Sequence, residues 1–219
     1  MGKIIMSEFA SLDGVVQDPD GSEGSGAGGW VGHLADREEL YAVKLGEALH
    51  SEALLLGRRS YEFFAARWQP RRGALADRLN TLPKYVASST LHDPGWSNST
   101  VLEGDVVKEV STLKHEVAGD ILVYASFQLM HTLIEHDLVD ELRLMVFPAV
   151  LGRGKRLFGD TSDKTLMRLV DTRTVDGDIA YLTYEPVRIP HAQKDEGSTT
   201  PVSARSISWD RNQVGVARN

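Results

Sequence analysis

The chain has 219 residues, 42% of them hydrophobic, a formal net charge of −7 and no cysteine. That length and apolar content suit one sizeable core, expected over residues 1–189, with a polar appendage over 190–219. The acidic balance excludes a broad polyanion-binding face, so neither nucleic acid nor a membrane is an expected partner; the missing cysteines remove disulfides, thiolate metal sites and cysteine nucleophiles, and fit a soluble cytoplasmic protein.

In chain order, "KIIMSEFA" (3–10) reads as an opening strand, too short in its apolar run for a signal segment, and Leu12-Asp13-Gly14 as the turn that ends it. Glycines at 21, 24, 26, 28 and 29 then exclude a regular element, and the segment reads as a mobile loop, either a lid or a linker. A helical pattern follows from Asp36, with Asp36 and Glu39 spaced as a capping box. The run Ala53 to Gly57 reads as a buried strand, followed by a short helix over Tyr61 to Arg67. Strands are expected at 84–90 and 100–103, then a helix with Val106, Val110, Leu113 and Val117 on one face. "DILVYAS" is a strand of the kind buried within a parallel sheet; a helix "FQLMHTLIEHDL" and a strand "DELRLMVFP" follow. Alternation on both sides of Asp176-Gly177 signals an antiparallel hairpin. The fold class is therefore α/β, a mixed, mainly parallel sheet flanked by helices with a C-terminal antiparallel hairpin. After Pro190 the composition turns polar, although Ile207, Trp209, Val214 and Val216 give the tail something to dock with.

Familiar nucleotide and metal motifs fail on inspection. Gly26, Gly28 and Gly32 miss the G-x-G-x-x-G spacing by one place and follow no strand; around Gly154-Lys155, Ala149 and Arg156 stand where a P-loop needs glycine and a hydroxyl. His131 and His136, five apart, point in different directions on a helix, so no metal site is expected. What remains is a set of small, hydroxyl and basic residues at strand C-terminal ends, where open α/β sheets bind ligands. Gly57-Arg58-Arg59-Ser60, Ser88-Ser89-Thr90 and Ala125-Ser126-Phe127-Gln128 each lie near a helix start, where free N–H groups attract phosphate oxygens, and arginine adds a bidentate clamp. Together they imply a ligand with more than one phosphate.

"FASLDGVV", "LLLGRRSYE", "KYVASST" and, most specifically, Val139 to Phe158 resemble, in one continuous order from 3 to 187, the RibD C-terminal (riboflavin biosynthesis reductase) family, which shares the dihydrofolate reductase fold. The resemblance implies an NADPH-dependent reductase that passes hydride to a small heterocyclic or ribosylaminopyrimidine-type substrate, working as a homodimer. It assigns Gly57, Arg58, Ser60 and Arg59 to the cofactor's 2′-phosphate and pyrophosphate, Ser88 and Ser89 to the adenosine side, and Ala125, Ser126, Phe127 and Gln128 to the pyrophosphate turn, where many relatives carry glycine at the position of Ala125. Leu12 and Val16 border the nicotinamide in that comparison; Asp13 is the leading catalytic group and Asp36 a second, with helix capping as its alternative role. The Gly152 to Lys155 loop is a family hallmark with cofactor, substrate or turn roles open. Without cysteine the zinc deaminase step of the bifunctional riboflavin enzymes is excluded. A pterin reductase and a non-catalytic dimeric binding module are the alternative functions.

Overall fold

Apolar runs bounded by turn residues become strands buried on both faces, and the intervening 3.6-residue patterns become the helices that cover them. A computed structural model describes residues 1–32, 36–158 and 165–187; the expected tail and the boundary before it lie outside these. The order is β1 (Ile4–Ser11), α1 (Glu38–His50), β2 (Ser51–Gly57), α2 (Arg58–Trp68), α3 (Ala74–Thr81), β3 (Lys84–Ala87), β4 (Ser99–Leu102), α4 (Val106–Glu116), β5 (Asp120–Tyr124), α5 (Phe127–Glu135), β6 (Glu141–Phe147), β7 (Met167–Val175) and β8 (Ile179–Pro186). Sequence reasoning missed α3, a short helix opened by Gly73 at φ 115 and ended before Pro83. The buried Lys84 ammonium closes it by donating to the carbonyls of Asn80 (3.0 Å) and Leu82 (2.7 Å).

One eight-stranded sheet runs β4-β3-β2-β5-β1-β6-β8-β7. Neighbours from β4 to β6 are parallel, while β8 runs antiparallel to both β6 and β7. Alternate residues feed opposite cores: Ile4, Met6, Leu55 and Val123 join α4 and α5 residues on one face, whereas Ile5, Leu54, Leu56 and Leu122 join α1 to α3 residues on the other. A one-residue register slip would therefore exchange two complete faces. Among the described residues no helix is long and apolar enough to cross a membrane.

Two local findings correct the sequence reading. Asp36 does not cap α1. The side chain of Asp176, in the β7–β8 turn, accepts from Glu39 N–H (3.0 Å) and Leu40 N–H (3.2 Å), while Glu39 Oε2 accepts from Asp176 N–H (2.5 Å). This is the reciprocal geometry of a capping box supplied by a distant hairpin, and Arg37 reinforces it through Asp178 at 2.8 Å. Nor is the glycine-rich segment free chain. It winds around the buried Asp18, whose carboxylate accepts from Glu23 N–H (2.8 Å) and Ser25 N–H (2.9 Å). Burial opposes the Asp18 charge, but those N–H donors prevail and hold the carboxyl below its usual range. Gly28 passes so close that a Cβ there would fall 2.1 Å from Asp18 Oδ2, which explains the need for glycine at that point.

Candidate active site

The C-terminal ends of β2 and β5 lie side by side, and each strand turns almost at once into a helix, α2 or α5. A cavity of about 830 Å3 opens there. Gly57, Arg58, Arg59 and Ser60 form one wall, Ser88 and Ser89 after β3 a second, and Ala125, Ser126, Phe127 and Gln128 a third, with Val16 nearby in the loop after β1. These expected cofactor residues are thus brought together; Leu12, which is 62% exposed, does not join them. Hydrogen bonds pin the two helix starts to each other: Gly57 N–H donates to Ser126 Oγ (3.0 Å), and Ser126 N–H donates to Ser60 Oγ (3.1 Å).

Helix α2 begins at Arg58 rather than near Tyr61, so both arginines occupy its first turn, and that turn holds no acidic residue. Cations there oppose the helix dipole. Among the described residues Arg58 offsets this only through an exposed contact of 3.7 Å with Glu62. An anion seated against the same turn would satisfy the guanidinium groups and the free N–H groups together.

The turn into α5 carries Ala125 at φ 45 and Ser126 at φ 62, two successive left-handed residues without a glycine. Such a conformation costs an alanine about 1–2 kcal/mol, and glycine gives back about 0.4–1 kcal/mol through unfolded-chain entropy. Ala125→Gly is therefore expected to raise stability by roughly 0.5–1 kcal/mol in thermal denaturation; an unchanged or lowered midpoint would mean the turn is not strained.

The two carboxylates expected to act in chemistry do not line the cavity. Asp13 instead fastens the Gly152 to Lys155 loop: it accepts from Ser11 Oγ (2.7 Å), Leu151 N–H (3.1 Å) and Gly152 N–H (2.9 Å). The Ser11 hydroxyl and then the Leu151 N–H hold its carboxyl down to about 2, which makes it a poor proton donor near neutrality. Asp36 is exposed and lines neither this cavity nor the recess beside it. The loop that Asp13 fastens needs turn geometry, since a Cβ on Gly154 (φ 123) would sit 2.6 Å from Val15 Cγ1. It also delivers a cation, because Lys155 lines the cavity with its Nζ 5.6 Å from the Phe127 ring centroid.

A smaller recess, about 140 Å3, adjoins the cavity through shared walls at Glu8, Phe63 and Ala125. Phe9, Phe64, Trp68 and Tyr124 make it largely aromatic, and of α1 it is Lys44 that reaches it. Glu8, which the sequence reading passed over, is 7% exposed with an Oε2 that has no hydrogen-bond partner among the described residues. Burial pushes its pKa up to about 7 against smaller opposing effects of the Phe9 N–H and Lys44. Behind the recess Lys44 Nζ bonds Ser7 Oγ (2.7 Å) and Glu47 Oε2 (3.1 Å), and the Tyr124 hydroxyl donates to Glu47 at 2.9 Å. The available signal for Glu8 was a lone carboxylate in a mostly apolar strand, "IIMSEFAS".

A family model for the RibD C-terminal domain matches residues 2–181. The chain belongs to that family. YyaP of Bacillus subtilis strain 168, described as an uncharacterized protein, is 30% identical over 188 residues, 83% of this chain and 94% of its own length. The crystal structure of a putative riboflavin biosynthesis protein from Shewanella sp. PV-4 superposes with a TM-score of 0.67 at 18% identity, covering 85% of this chain and 99% of that one. Dihydrofolate reductase from Enterococcus faecalis, complexed with NADP(H) and RAB-propyl, superposes with a TM-score of 0.52 at 14% identity, covering 84% and 96%. The RibD C-terminal fold seen here is accordingly dihydrofolate reductase-like, and the family is one of reductase-type domains.

Proposed function

We propose that the chain is an NADPH-dependent reductase that transfers hydride to a small heterocyclic substrate. The observation that carries this reading is the pair of arginines in the acid-free first turn of α2, on a cavity of about 830 Å3 joined to an aromatic recess. The cavity fits a phosphorylated dinucleotide: Arg58, Arg59 and Ser60 would hold its 2′-phosphate, Ser88 and Ser89 the adenosine side, and the α5 start with Lys155 the pyrophosphate. Bound there, the nicotinamide supplies the hydride. The protein's own part is to align the recess with the cavity and to exclude water with Phe63, Phe64 and Trp68. Homodimeric assembly and a cytoplasmic site of action are carried by the family resemblance.

Titration with NADPH and NADH, followed by nicotinamide fluorescence, tests the proposal. NADPH is expected to bind more tightly, and Arg58→Ala to weaken NADPH by about 10–100-fold, the worth of one charge-assisted contact, while NADH changes little. Equal binding of the two by the unaltered protein overturns the phosphate clamp, and binding of neither overturns the enzyme reading in favour of a non-catalytic module.

A further inference from the structure

We propose that strand β7 is the contact between two copies of this chain, pairing antiparallel with itself across a two-fold axis at Thr172 so that the two sheets become one. The inference gives the homodimer proposed above its surface and rests on that assembly; the reductase reading does not enter it. β7 is the last strand in the sheet order and, at nine residues, the longest among the described residues. Its residues from Arg168 to Thr174 are all exposed, and no described strand receives its outer N–H and C=O groups. An edge of that kind is a template for another strand. The opposite edge, β4, is only four residues long, which is one way a sheet edge is blunted. On β7 the exposed Leu169 and Val170 add apolar surface, and neither proline nor lysine interrupts "MRLVDTRTV".

The charges on the strand select a second copy as the occupant. Arg168 is held by Glu185 on β8 at 2.5 Å, but among the described residues neither Asp171 nor Arg173 has an ion-pair partner; Arg173 lies over the Tyr181 ring, 4.9 Å from its centroid. A two-fold axis at Thr172 sets Asp171 of each copy opposite Arg173 of the other, Thr172 opposite Thr172, Val170 opposite Thr174 and Leu169 opposite Val175. Opposite charges and paired threonines are favourable neighbours across an antiparallel pair. Moving the axis to Asp171 sets that carboxylate against its own copy, and moving it between Val170 and Asp171 sets Arg168 against Arg173; like charges directly opposite are destabilising. The strand's charges thus specify one register. The three central pairs lie past the register shift between Leu169 and Asp171 in the β7–β8 ladder, so that bulge does not interrupt them. A two-fold contact uses the same edge on both copies and closes on itself, leaving β7 no edge for a third strand.

The chain has no cysteine, so a single introduced thiol reports the position of the axis. A residue on the axis of an antiparallel pair meets its own copy at a Cα separation of about 4.5–5.5 Å, within disulfide reach, whereas Thr174 and its copy stand about 13 Å apart along the strands. In the full chain under mild oxidation, Thr172→Cys is expected to give a disulfide-linked dimer on a non-reducing gel and Thr174→Cys to stay unlinked. In sedimentation equilibrium the unaltered chain is expected to dimerise. Asp171→Arg should raise the dissociation constant about 10-fold or more by facing arginine with arginine twice, and Asp171→Arg with Arg173→Asp should restore it. All these positions are exposed, and recovery in the reversed pair separates a lost contact from a lost fold. A monomeric unaltered chain, a Thr172→Cys chain that links no faster than Thr174→Cys, or a loss in Asp171→Arg that the reversed pair does not recover each overturns the proposal. NADPH titration is independent of these outcomes: its failure ends the reductase reading and leaves the cross-link in place, while a missing cross-link leaves NADPH binding unchanged.

Discussion

Glu47→Ala is expected to lower the unfolding free energy by about 3–5 kcal/mol in urea denaturation, the cost of removing one partner from a buried ion pair. Glu47 is 4% exposed and collects Ser7 Oγ (2.9 Å), Lys44 Nζ (3.1 Å) and the hydroxyls of Tyr124 (2.9 Å) and Tyr181 (3.1 Å), with Arg143 at 3.9 Å. Alanine leaves the Lys44 ammonium, itself 6% exposed, without its carboxylate and takes an acceptor from both tyrosine hydroxyls, of which Tyr124 keeps the Lys44 carbonyl at 3.3 Å. Arg143 suffers less because Glu141 stays 2.5 Å away. Glu47→Gln keeps most of the hydrogen bonds, so its loss should be smaller. The pair Lys44→Met with Glu47→Leu should recover much of the stability, since it leaves no buried charge behind. Equal losses for alanine and glutamine would show that the hydrogen bonds kept by glutamine contribute nothing and that the charge, removed in both, carries the whole effect.

Glu8→Leu is expected to act in the opposite direction, and only in part of the pH range. Burial raises the folded-state pKa of Glu8 from 4.5 to about 7. Below about pH 4.5 the carboxyl is protonated in both the folded and unfolded chain and costs nothing by ionisation; as pH rises toward 7 the unfolded chain ionises freely while the folded one resists, so wild-type stability falls. Above pH 7 the full penalty, on the order of 3 kcal/mol, is present. Urea midpoints at about pH 5 and about pH 8.5 should therefore show the variant gaining most at the higher pH. A gain independent of pH would mean that Glu8 is not held protonated by burial. Stabilisation by deletion is the signature of a group kept for binding rather than for folding.

The sheet was legible because buried parallel strands are written as continuous apolar runs such as "ALLLG" and "DILVY", and the hairpin because alternation brackets Asp176-Gly177. The cavity walls were legible for a related reason: each cluster directly follows a strand, and strand ends of a parallel sheet converge on one edge. What escaped depends on partners far along the chain. Asp13 looked catalytic until the 151–152 N–H groups claimed it, and Asp36 looked like a cap until Asp176, 137 positions from Glu39, took that place. Glu8 was hidden by its setting, since periodicity marks the faces of a strand and says nothing of whether one oxygen on it finds a donor.

The crossed capping arrangement at Glu39 and Asp176 also orders events in time. The start of α1 cannot be completed until the last hairpin of the sheet is in place, so during synthesis the helix waits for more than a hundred residues to follow it. The amide protons of Glu39 and Leu40 should accordingly exchange with solvent at the rate at which the β7–β8 turn detaches, which makes two helix amides a clock for the opening of the opposite end of the chain.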